Sequence, residues 1–191
     1  MSLKLPRTIR LDPSDTFVFA HPAEPGEWAV TGSFLFWDRN LGDLAPKERA
    51  AFRAGFVGVD SLGFSTLVVV TPAREDEREA AIDALARHIR TRFNAPDDAA
   101  ARAAAAEEIA YAASLCEGHA ENTLLALHRS QKNGEIHEQF RTLRHRDPTV
   151  PGADRLHAHS KAFIVVESDD EIDEEVDLLG LMQGPSTKDK S

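Results

Sequence analysis

His128, His137 and Arg141 are the residues of this chain whose types and spacing could do chemistry together. A guanidinium fork grips a carboxylate or phosphate through parallel hydrogen bonds, and an imidazole exchanges a proton near neutral pH. Brought to one surface, the three would form an anion-binding site with acid–base capacity. Other chemistry-bearing motifs fail on inspection. The run His137-Glu138-Gln139-Phe140-Arg141 opens like the zinc-protease motif HExxH, but arginine stands where the second ligand must be. On a strand, moreover, positions four apart do not meet as they do on a helix. His157 and His159 would project to one side of an extended segment, yet no third ligand has suitable spacing. Cys116 falls toward the C-terminal end of a helical stretch, where the backbone dipole disfavours a thiolate, so it reads as a small buried hydrophobe. There is no GxSxG elbow, CxxC pair or Walker sequence. No catalytic residue, metal or cofactor is therefore expected.

The element that must position the three residues is a β-hairpin spanning residues 122–143. Two strand-like runs flank Asn133-Gly134, the pair most favoured for a type I′ turn. With those two residues as the loop, Leu127 faces Phe140, Arg129 faces Glu138, Leu125 faces Thr142 and Lys132 faces Glu135. One apolar pair and two ion pairs fall into place at once, and a slip of one residue would destroy all three. In this register His128 lies diagonal to Arg141 and to His137 on one face.

Around the hairpin the expected order is as follows. Residues 7–11 and 16–20 read as a first pair of strands around the turn formers Asp12-Pro13-Ser14-Asp15. Residues 27–37 read as a half-buried strand, with Trp28, Val30, Phe34 and Phe36 on one side at period two. Pro46 opens a short helix through Phe52, with Gly55 as a left-handed stop. The glycines at 55, 58 and 63 fit no phosphate-loop or dinucleotide pattern, so that stretch is a turn. Residues 64–70 form a β-branched apolar run suited to a central strand. Thr71 and Pro72 then open a helix whose Ile82, Leu85, Ala86, Ile89 and Phe93 recur at helical spacing. Asn94-Ala95-Pro96 breaks it, and an alanine-rich helix follows over 97–117, able to pack unusually close. The last strand is expected over 159–167.

The chain of 191 residues carries a net charge of −10, which disfavours nonspecific binding to nucleic acid or to an anionic membrane. Its first fifteen residues lack a signal-peptide apolar run, and no stretch is apolar enough to span a bilayer. With a single cysteine, a reducing, cytoplasmic setting is expected. Arg129, Lys132, Arg141, Arg144 and Arg146 suggest a basic surface patch. By contrast, residues 167–177 hold eight acidic residues and no basic one, with Ile172, Val176 and Leu179 at helical spacing. That acidic segment is expected to dock on the basic hairpin.

The opening KLPRTIRLDPSDTFVF, the segment AAFRAGF and the core NGEIHEQFRTLR resemble a family of small alphaproteobacterial proteins, a domain of unknown function. Members of that family tend to be encoded near accessory proteins of redox metalloenzymes and near biotin or lipoate ligase-like proteins. The resemblance implies an accessory role and transfers no site residue. The expected fold is α+β, a single domain over 1–168 with a mostly antiparallel sheet of about five to seven strands, two long helices on one face, and a tail over 169–191. The expected function is a non-enzymatic accessory or protein-binding module, whose partner is another protein or a second copy. The alternative is a small-molecule or anion-binding protein or enzyme working through His128, His137 and Arg141. The two differ in whether those residues sit in a concave pocket or on an open surface.

Overall fold

The computed structural model describes residues 2–145 and 163–166. Its elements run β1 (Lys4–Ile9), α1 (Ser14–Val18), β2 (Ala29–Val30), α2 (Pro46–Ala54), β3 (Phe56–Gly58), β4 (Phe64–Ser65), β5 (Leu67–Pro72), α3 (Glu75–Arg92), α4 (Asp98–Leu115), β6 (Leu124–Lys132), β7 (Glu135–His145) and β8 (Phe163–Val166). Two short 3₁₀ turns, Ser33–Phe36 and Leu41–Asp43, lie between β2 and α2. The architecture is α+β, and every ladder is antiparallel. The strands divide between two sheets, one in the order β1-β5-β6-β7-β8 and one in the order β2-β3-β4.

The apolar run expected to be one central strand is broken at Thr66 and serves both sheets. Asp15, buried at the start of α1, causes the break: its carboxylate accepts from the Thr66 hydroxyl at 2.5 Å and from the Thr66 amide at 3.2 Å. The same contact explains why residues 16–20 are not the expected strand. Asp12 accepts from the Ser14 amide at 2.8 Å, which starts a helical turn and delivers Asp15 to Thr66. β5, on the far side of the break, is an interior strand between β1 and β6, as its residue types require.

The aromatic stretch 27–37 also departs from the expected long strand. Pairing stops at Val30, and Gly32 turns the chain at φ +80°, where a Cβ would lie 2.2 Å from Val57 Cγ2. Phe34 and Phe36 then ride on a 3₁₀ turn instead of a pleat. Gly55 follows α2 in an extended conformation at φ −95°, not as a left-handed stop. Glycine is needed there for space, since a Cβ would stand 2.7 Å from the Ala51 carbonyl and 2.6 Å from the Phe64 ring. Thr71 and Pro72 remain in β5, and α3 begins only at Glu75, where the Glu77 carboxylate accepts from the Arg74 amide at 2.9 Å.

The two long helices fall where helical periodicity and the Asn94-Ala95-Pro96 break put them. Asp97 caps α4 by accepting from the Ala100 amide at 2.7 Å. Ala101, Ala105, Ile109 and Ala112 face Ala81, Ile82, Leu85 and Ile89 in one buried cluster with Leu5, Val30, Val57 and Val59. A second cluster joins the sheets: Ala29 and Phe56 of one meet Val68, Val70, Leu125 and Leu127 of the other around Cys116. The strand expected over 159–167 is described only over Phe163–Val166, which pairs with Thr142–His145 of β7. His157, Arg146, the acidic segment 167–177 and the tail to 191 lie outside the described residues.

Candidate functional site

The hairpin adopts the register its side chains call for: Leu127 opposite Phe140, Arg129 opposite Glu138, Leu125 opposite Thr142 and Lys132 opposite Glu135. Asn133 and Gly134 take φ +53° and +85°, the pair of left-handed conformations of a type I′ turn. Because side chains alternate, the hairpin has two faces of opposite character.

His128, His137 and Arg141 share the outer face, and all three are exposed. The structure therefore brings them to one side of the hairpin on an open surface. The inner face holds what sequence reasoning assigned to the surface. Arg129, expected in the basic patch, has a side chain with 0% exposure. It donates from Nε to Glu138 Oε1 at 2.9 Å, from Nη1 to the Phe52 carbonyl at 2.7 Å and from Nη2 to the Thr31 carbonyl at 2.6 Å. The Phe36 and Phe52 rings lie 5.6 and 5.8 Å from its guanidinium carbon. Burial lowers the proton affinity of the guanidinium and the Glu138 carboxylate opposes that effect. One side chain thus ties the hairpin to α2 and to the end of β2, with its charge matched and its donors used.

Beside this pair stand two groups of α4 that sequence reading did not single out. Tyr111 lies near Glu138, and its hydroxyl is raised above the ordinary range first by burial and then by the nearby carboxylates. Glu108, one turn earlier, is pushed up to about 7, first by burial and then by the charges of Glu138 and Glu107. Its Oε2 is buried with no hydrogen-bond partner. The signal for them was a Glu and a Tyr at i and i+3 on an alanine-rich helix, placing both on the same side.

Two hollows flank this assembly. A groove of about 290 Å³ is lined by Leu35, Phe36, Ala51, Leu62, Phe64 and Phe93, together with Lys47, Arg92 and the Arg39–Glu48 ion pair. A second hollow, of about 530 Å³, opens between α2 and β6. Cys116 is buried, and burial pushes its thiol up to about 12, which suits a packed hydrophobe. No group of three or more metal-ligating side chains occurs among the described residues, and no helix among them is long and apolar enough to cross a membrane.

Fold and site together define an α+β domain built on a hairpin anchored by a buried arginine. The model of the Family of unknown function (DUF6505) matches residues 1–162, and the chain belongs to that family. No curated protein and no solved structure matches it.

Proposed function

We propose that the protein is a non-enzymatic, protein-binding accessory module whose groove at Phe36 and Phe64 takes an acidic amphipathic segment of a partner. The observation that carries this reading is an apolar floor left open beneath cations. Phe93, on the wall of the groove, is 41% exposed. Lys47 and Arg92 form no ion pair among the described residues, although acidic residues outnumber basic ones in the chain. An apolar slot edged by unneutralised cations is complementary to apolar side chains flanked by carboxylates. Charges of that kind orient the partner, and burial of the aromatic surface holds it.

The resemblance to small alphaproteobacterial proteins encoded beside redox-metalloenzyme accessory factors supports a partner of that class in a bacterial cytoplasm. The alternative reading, an enzyme or anion-binding protein acting through His128, His137 and Arg141, calls for one cleft around those groups, whereas all three are exposed and the hollow that His128 lines includes neither His137 nor Arg141. The test is retention of a partner from a native lysate by the full chain, with Lys47→Glu/Arg92→Glu and Phe93→Asp as variants. Both variants are expected to weaken retention about tenfold or more, the scale of one large apolar side chain. Equal retention by all three proteins, with melting temperatures unchanged for the charge variant, would reject the groove as the binding surface.

A further inference from the structure

Several arginines of this acidic chain are matched to carboxylates. Arg39 meets Glu48, Arg74 meets Asp76, Arg78 meets Glu75, Arg90 meets Asp98 and Arg102 meets Asp83. Arg49 and Arg53 of α2 have no such partner among the described residues. They stand at i and i+4, so their side chains share one face of the helix, and both are exposed. Arg49 donates from Nη2 to the Leu44 carbonyl at 3.2 Å, which orients its guanidinium without neutralising it. Arg53 has no hydrogen bond or ion pair among the described residues.

Both line the hollow of about 530 Å³ between α2 and β6, and His128, Ser130 and Gln131 of β6 are among its other lining residues. Among the described residues no carboxylate lines it, although the chain carries a net charge of −10. Arg129, also on the wall, is already matched to Glu138, so the uncompensated charge belongs to Arg49 and Arg53. The volume lies within the range of small-ligand sites, roughly 300–1,000 Å³. Two planar forks on one helix face, with a serine and a histidine of β6 on the same lining, supply the donor types an oxyanion requires.

We propose that this hollow is an oxyanion site, in which Arg49 and Arg53 bind a phosphate or carboxylate group carried on a small molecule and His128 and Ser130 complete the wall. The site is separate from the apolar groove and does not depend on that groove binding a partner. It also reassigns His128. On the hairpin this residue shares a face with His137 and Arg141, but its neighbours in the hollow come from a helix more than seventy residues earlier in the chain.

The test is titration of the full-length protein at low ionic strength with inorganic phosphate and, separately, with citrate, followed by isothermal calorimetry and by the backbone amide signals of Gly42 and Gln131. Saturable binding is expected, weakened about tenfold or more in Arg53→Glu and abolished in Arg49→Glu/Arg53→Glu, the scale of losing charge-assisted hydrogen bonds. Arg87→Glu, which changes the same charge on an exposed position of α3 away from the hollow, is expected to bind as the parent does. Preference for phosphate or for citrate identifies which oxyanion the site takes. Absence of saturable binding to both probes would overturn the proposal, and so would equal loss in Arg87→Glu, which would reveal general charge attraction. Because both α2 arginines are exposed, their variants are expected to fold, and the dispersion of the amide spectrum verifies it.

Discussion

At the scale of single residues, the hairpin is held by Arg129, whose replacement separates charge pairing from packing. Arg129→Ala would leave Glu138 largely buried without its counter-ion and strip the Thr31 and Phe52 carbonyls of their donors. A loss of about 3–5 kcal/mol in chemical denaturation is expected. The double variant Arg129→Met/Glu138→Leu removes both charges and keeps apolar volume, so it should be clearly more stable than Arg129→Ala alone. Glu108 gives a pH signature of defined sign. Its carboxyl is pushed up to about 7 in the folded protein from an ordinary value of 4.5. The folded state therefore favours its protonated form. That contribution is fully present below about pH 4.5 and is lost as the pH rises through 7, amounting to at most about 3 kcal/mol. The groups that set it are Glu138 on β7, Glu107 on the same helix and Arg129 on β6, with desolvation the largest cause. Glu108→Gln should remove this slope, so its stability relative to the parent should improve between about pH 4.5 and 7 and level off above that. A constant difference across that range would show that the carboxyl does not titrate in this way.

At the scale of elements, two glycines with positive φ separate backbone strain from steric exclusion. A Cβ on Gly134 in the hairpin turn meets nothing within 4 Å, so Gly134→Ala should cost only the left-handed penalty, about 1–2 kcal/mol. A Cβ on Gly32 would lie 2.2 Å from Val57 Cγ2, adding an overpacking cost of about 1–3 kcal/mol to the same backbone term. Gly32→Ala should therefore be the more damaging of the two in thermal melts. The α3–α4 interface obeys the same rule. Ala105 is 0% exposed and packed in the main cluster, and Ala105→Leu is expected to lower stability by about 1–3 kcal/mol through crowding, although it adds apolar surface. These helices were legible from spacing, because a buried stripe recurs every three to four residues wherever a helix lies on a core. The failure at residues 16–20 and 27–37 has the opposite cause. Alternation there was mimicked by residues whose conformation is set by Asp15 gripping Thr66 and by the close approach of Gly32 to Val57.

At the scale of the whole molecule, Cys116 reports on the joining of the two sheets. It lies at 0% exposure among residues from both of them, and its thiol is pushed up to about 12. Alkylation at neutral pH should consequently be undetectable in the native protein and should proceed only through an opening that parts the sheets. Its rate should rise along the same denaturant curve as the loss of tryptophan and far-ultraviolet signals. Rapid labelling well below the unfolding midpoint would mean that this part of the core opens locally.

The sequence by itself determined what depends on neighbours in the chain. The hairpin register follows from a two-residue turn and the pairing of side chains within nine residues on either side. The two long helices follow from their own periodicity and breakers. The exposure of His128, His137 and Arg141 together follows from alternation once that register is set. Tertiary structure alone decided the fate of the opposite face. Arg129 reaches carbonyls 77 and 98 residues earlier in the chain, so no local pattern could distinguish it from the exposed arginines near it. The same holds for Arg49, Arg53 and His128 lining one hollow, and for Glu108 and Tyr111 standing near Glu138. Each joins segments far apart in the chain, and the physical reason is common to all. A charged residue is buried or left without a counter-ion by what packs over it, and that partner is chosen by the fold, not by the spacing of nearby residues.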